Sequence, residues 1–97
     1  MSVVTTRKPG ASEDQVIEEM ARNGYEAAAR VYSSGMTEPH QHDYDVCLYI
    51  LEGEFRLTEV DKSVVHRFQP GDQVFVARGT VHAEEYGSLR MIVGRRH

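Results

Sequence analysis

Apolar positions along the chain follow two patterns that meet near Gly24. Before it, Val16, Ile17, Met20 and Ala21 recur at i, i+1, i+4 and i+5, which sets them on one face of a helix. Glu13, Asp14, Glu18 and Glu19 take the other face, with acids near the positive N-terminal end. Ser12 and Gln15 have the spacing of a capping box, and Asn23-Gly24 supplies a stop. The pattern predicts one short amphipathic helix over 13–22. Residues 1–10 are polar and end at Pro9-Gly10, so they read as an extended arm that then turns.

After Gly24 the pattern is that of strands. Short apolar stretches run from Ala27 to Tyr32, Val46 to Leu51, Phe55 to Thr58, Val64 to Phe68, Gln73 to Ala77, Thr80 to Glu85 and Leu89 to Val93. Glu52-Gly53, Asp61-Lys62 and Pro70-Gly71-Asp72 punctuate them as turns. Many short strands with one terminal helix predict an all-β sandwich or barrel, with an arm and helix over 1–24 and the barrel over 25–97 as a single domain. The run Val46-Cys47-Leu48-Tyr49-Ile50-Leu51 does not alternate, so both faces of that strand are expected to be buried. One face meets the barrel interior; the other needs the helix or a second subunit as cover. That strand and the small core together favour a homodimer, with the N-terminal arm reaching across to the partner.

Composition removes several function classes. Ninety-seven residues make one domain, and the net charge of -4 leaves no basic footprint for nucleic acid. No membrane span is expected, because the longest apolar run is Val46 to Leu51 against the ~20 residues a spanning helix needs. With no signal-peptide pattern, the default expectation is a cytoplasmic protein. The single cysteine, Cys47, excludes an internal disulfide and a multi-cysteine zinc site.

The candidate chemistry lies in the five histidines. His40 and His42 stand at i and i+2, which in an extended segment turns both imidazoles to one side. Such a pair suits a metal ion, and equally suits a solvated polar loop. His82 opens a later strand, after Gly71-Asp72, an apolar strand and a Gly79 turn. Two histidine-bearing segments separated by a hairpin can meet at the mouth of a small barrel.

These two segments resemble the paired motifs of the cupin superfamily. The first runs from Gly35 through His40-x-His42 to Tyr49-Ile50-Leu51-Glu52-Gly53-Glu54; the second runs from Pro70-Gly71-Asp72 through Ala77-Arg78-Gly79-Thr80-Val81-His82 to Tyr86. The resemblance covers residues 33 to 93. It implies a jelly-roll barrel, or double-stranded β-helix, and one divalent metal ion (Fe, Mn, Ni or Zn) held by His40, His42 and His82. It also implies a small-molecule ligand. The glutamate that completes the family's ligand set falls on Val46, the motif's proline on Ala77 and its closing asparagine on Tyr86.

Asp45 is the neighbouring candidate for a fourth metal ligand, but simple alternation turns it outward and only a β-bulge would re-aim it. Glu84, two residues after His82, is a second candidate whose simpler reading is a solvated strand residue. Three neutral imidazoles leave the charge of the ion uncompensated, which favours an anionic or chelating ligand. The implied activity is a metal-dependent dioxygenase, isomerase or lyase on a small oxygenated compound. The alternatives are a non-catalytic binding or sensory module, and a metal-free barrel using His82 and a tyrosine as acid and base. His66 reads as an ordinary strand residue, His97 as a mobile end, and Cys47 as a buried structural thiol. Tyr44, Tyr49 and Arg90 could line the barrel or grip a carboxylate, and Glu52, Glu54 and Glu59 read as solvated.

Overall fold

Glu13–Arg22 forms the helix α1 that the pattern predicts, and its capping box is present as read. The Gln15 backbone N–H donates to Ser12 Oγ at 3.1 Å, and the Gln15 side chain accepts from the Ser12 N–H at 3.0 Å. A cap of this kind contributes ~1 kcal/mol. The computed structural model describes residues 3–97. Its strands are β1 (Val3–Arg7), β2 (Glu26–Tyr32), β3 (Gly35–Met36), β4 (Asp45–Glu52), β5 (Phe55–Glu59), β6 (Val64–Phe68), β7 (Asp72–Val76), β8 (His82–Tyr86) and β9 (Leu89–Arg96). They build two antiparallel sheets in the orders β1-β7-β4-β9-β2 and β3-β8-β5-β6, the architecture expected of a jelly roll.

The non-alternating strand has two buried faces. Leu48 and Ile50 point between the sheets, where they join Phe55, Leu57, Val74, Leu89 and Met91. Cys47 and Tyr49 point outward and pack with Ile92 beneath Val16 and Met20 of α1. Each of these large side chains contributes roughly 1.5–3 kcal/mol by burial. The helix therefore supplies the cover, and this strand makes no demand for a second subunit.

The N-terminal arm differs from its expected course. Residues 3–7 form an edge strand on their own sheet, with Val3 opposite Val76 and Arg7 opposite Asp72. Its polar sequence hid the strand, because only Val3 is buried. Arg7 Nη1 lies 2.5 Å from the buried Asp72 carboxylate, and the Lys8 N–H donates to Gly71 O at 2.7 Å. The arm thus pairs with this chain's own barrel. A further two-residue strand, β3, lies in the stretch expected to be loop, paired with Tyr86 and Glu85.

Strand polarity gives the barrel two different ends. At one, the chain crosses between sheets four times, at Ser33-Ser34, Gly53, Gly71 and Ser88. At the other lie His40, His42 and the start of β8. The first end closes the core, and the second holds the polar cluster described next.

Candidate metal centre

Backbone pairing sets the cluster in place. His40 and His82 exchange both main-chain hydrogen bonds at 2.9 Å, and the Gly79 N–H donates to His42 O at 2.8 Å. Thr37 is tied to Glu84 by a further main-chain bond at 2.9 Å and by its Oγ1, which accepts from the Glu84 N–H at 3.0 Å. The 37–44 segment is therefore pinned to β8 at several points. As a result, His40, His42 and His82 each offer a ring nitrogen within 4.8 Å of the others, so this cluster could hold a metal ion.

The donor chemistry fits an ion. His40 Nδ1 lies 2.8 Å from Glu38 O, and His82 Nδ1 lies 2.8 Å from Thr80 O. A carbonyl oxygen can only accept, so both Nδ1 atoms carry the hydrogen, and in the neutral ring that leaves Nε2 as the nitrogen with a free lone pair. Burial holds the His42 imidazole below its usual pKa, helped by the neighbouring His40 and His82 and by Arg95. Burial thus favours the neutral, metal-binding form of the His42 ring. An ion with ~2.1 Å bonds can span at most about 4.2 Å between donors, so closing the rings onto one takes only small side-chain rotations.

Around the histidines is a cavity of about 200 Å³. Its floor is apolar, with Val46, Leu48, Val76, Met91 and Val93; Tyr32, Tyr44, Glu84 and Arg95 add polar groups. Tyr44 stacks on His42 with ring centroids 4.8 Å apart, and the Arg95 guanidinium lies 5.9 Å from the Tyr44 ring. Burial pushes the Tyr32 phenol above its usual pKa, so its hydroxyl keeps its proton.

The remaining candidates separate clearly. Val46 points inward, as alternation from His42 predicts. Asp45 is not brought to the cluster: Oδ1 accepts from the Arg78 N–H and Oδ2 from Arg96, both at 3.0 Å. Glu84 is not solvated; its side chain is 20% exposed, and Oε1 lies 3.7 Å from His40 Nε2. Cys47 is buried beneath α1, which raises its thiol pKa. Tyr49 donates to Lys8 O at 2.6 Å and Arg90 to Glu13 at 2.6 Å, so both tie the helix region to the sheet rather than face the cavity. The His97 ring rests 4.7 Å from Tyr44.

Pattern misplaces Glu59 and His66 and misses Arg95. Glu59 is buried, not solvated; it accepts from His66 Nε2 at 2.7 Å and sits opposite His82 on the neighbouring strand. His66 is therefore an inward partner of that acid rather than an ordinary strand position. Arg95 was not singled out at all. Glu59 and Arg95 each lie at the end of an i, i+2, i+4 series, Phe55-Leu57-Glu59 and Met91-Val93-Arg95, and that series was the available signal.

Asp45 gives a pH-dependent prediction. The Arg78 N–H, then Arg96, hold its pKa below the ordinary 3.8. The unfolded chain then binds this proton more readily, so the contribution to stability is present above pH 3.8 and lost as pH falls through the lower folded value. Asp45→Asn is expected to be slightly less stable than wild type at neutral pH. The gap should close on acidification, and metal content should be unchanged. Urea denaturation at several pH values with elemental analysis checks this; a variant that loses metal would make Asp45 a ligand after all.

Comparison with known proteins agrees with the geometry. No curated relative matches the chain. Among solved structures, a DUF861 family protein from Thermotoga maritima is 16% identical with a TM-score of 0.66, covering 94% of this chain and 96% of that one. A cupin-2 domain containing protein from Shewanella frigidimarina is also 16% identical, with a TM-score of 0.65 over 95% and 80% of the two chains. The polyketide cyclase RemF from Streptomyces resistomycificus is 22% identical, with a TM-score of 0.64 over 97% of this chain and 64% of that one. At these identities the likeness is one of fold. The family described as "Cupin domain" matches residues 29–91, which take in all three clustered histidines, and the chain belongs to the cupin superfamily.

Proposed function

We infer that the chain binds one divalent metal ion through His40, His42 and His82. On this reading it acts there on a small anionic, oxygen-bearing compound, as an enzyme of the dioxygenase, isomerase or lyase type. The observation that carries this reading is the convergence of three imidazoles, two of them oriented by backbone carbonyls, on one small cavity. When bound, the ion supplies a Lewis acid that polarises a ligand oxygen or acidifies a water.

The chain's own residues define what fits beside it. Arg95 takes part in none of the ion pairs among the described residues, so its charge is free for a ligand at the cavity mouth. The protonated Tyr32 hydroxyl is available to donate to the same ligand. Glu84, next to His40 Nε2, is the group placed to hold or take a proton. The apolar floor keeps water from the far side of the ligand and strengthens each of these contacts. Arg95→Met is expected to weaken binding of a small dicarboxylate such as succinate about tenfold while leaving metal content intact. Calorimetric titration of the loaded protein measures it, and unchanged affinity would remove Arg95 from the ligand site.

Elemental analysis of untagged protein, followed by oxygen-uptake and product assays with thiols, diketones and catechols, tests the reading as a whole. Protein that carries no metal and takes up none would end it. A second reading is a non-catalytic binding module. Its support is that Glu84 is the single carboxylate among the described lining residues, so the cavity offers no pair of carboxylates for acid/base work. Saturable binding without turnover distinguishes the two.

A further inference from the structure

The larger sheet ends in β2, whose outer edge pairs with no strand among the described residues. Most of the strand is exposed, and Val31 is 78% exposed. Exposed edges in soluble domains are usually blunted by lysine, proline, a bulge or a cover. β2 has no lysine, proline or bulge: it pairs with β9 in an unbroken register over seven residues, and its only charges are one acid and one base, Glu26 and Arg30. The other edges are less open to pairing. β3 has two residues, β1 runs into Lys8-Pro9, and β6 carries Arg67 with no acid to oppose it.

The sequence of β2 is its own charge complement. In Glu26-Ala27-Ala28-Ala29-Arg30, antiparallel pairing about Ala28 places Glu26 opposite Arg30 of a second copy, and Arg30 opposite its Glu26. Ala27 then faces Ala29, and Ala28 faces its equivalent, with no side chain large enough to hold the strands apart. Neither Glu26 nor Arg30 has an ion-pair partner among the described residues. We propose that β2 pairs with β2 of a second copy of this chain about a two-fold axis at Ala28, joining the two larger sheets into one. The contact is isologous, so it closes as a dimer and does not propagate. It depends on no feature of the metal centre.

Sedimentation equilibrium of the untagged full chain at micromolar concentrations tests this. Wild type is expected to be a dimer. E26R and R30E each set like charges face to face at both symmetric positions, and each should weaken the dimer at least about tenfold. Mixing the two variants should produce a heterodimer, because every facing pair is then opposite in charge. The double swap E26R/R30E should restore the homodimer. Circular-dichroism melting confirms that each variant is folded; if one single variant is not, the other and the double swap still read the pairing. A monomeric wild type, a dimer indifferent to both substitutions, or singles that ignore each other on mixing would overturn the proposal. A wild-type monomer that instead takes up an unrelated extended peptide along β2 would assign the edge to another partner.

Discussion

Gly53→Ala should cost the fold about 4 kcal/mol, among the largest effects expected of a single methyl group. Gly53 has φ +93, and a Cβ built there meets Ser88 O at 2.0 Å and Leu89 Cα at 3.1 Å. Two penalties combine. Left-handed backbone costs an alanine ~1–2 kcal/mol, and the clash is with main chain, which cannot rotate away. The neighbour matters because of topology: the crossing from β4 to β5 packs directly on the crossing from β8 to β9. Relief would require moving one sheet corner off the other. Gly79 is the internal control, with φ +79 but no atom within 4 Å of a Cβ, so Gly79→Ala should lose only about 1 kcal/mol. For a domain of this size the difference corresponds to a melting temperature lower by roughly 10–20 °C. Thermal and urea denaturation of both variants measures it. Equal losses would mean that backbone conformation alone, and not the packing of the two corners, sets the cost.

The sequence pattern read the centre of each strand better than its ends. Val64–Phe68 and the helix at 13–22 were legible to the residue, because apolar spacing and a capping box coincide with the element. β9 was read as ending at Val93, its last apolar residue, whereas it runs to Arg96. The cause is physical. At the mouth of a small barrel the inward positions face a cavity instead of a core, so the inward series turns from apolar to polar while the backbone pairing continues. Glu59 and Arg95 both stand where that change occurs. Reading the strand by its apolar run therefore cuts off the residues that carry chemistry. His40, His42 and His82 escaped this because their spacing within two motifs was recognisable without knowing where strands stop. β1 failed for a different reason: as an edge strand with a single buried side chain it has no apolar alternation to detect.

His42→Ala is the substitution with the largest expected effect on the site, and it should remove the metal while the barrel stays folded. His42 is half-buried, and its ring stacks on Tyr44 and lies against His40 and His82 at the polar mouth of the barrel. Its backbone carbonyl, which the Gly79 N–H uses, survives the change. Losing even an outer partner of a metal ligand costs 10–100-fold in affinity, so losing one of three ligands should cost more than about 100-fold. Elemental analysis should fall from near one ion per chain to a trace. The same loss has a readout that does not depend on activity. A metal present at 100 times its dissociation constant stabilises the folded state by about 2.7 kcal/mol, and after a 100-fold loss of affinity the figure is ~0.4 kcal/mol. The rise in melting temperature on adding zinc or manganese should accordingly be large in wild type and nearly vanish in the variant. His66→Ala is the control, since His66 belongs to the Glu59 pair and not to the cluster. It should keep both the metal and the shift, even if the buried Glu59 lowers its overall stability. A wild-type protein whose melting temperature ignores added metal, or a His42→Ala variant that retains its ion, would detach the three imidazoles from any shared cation.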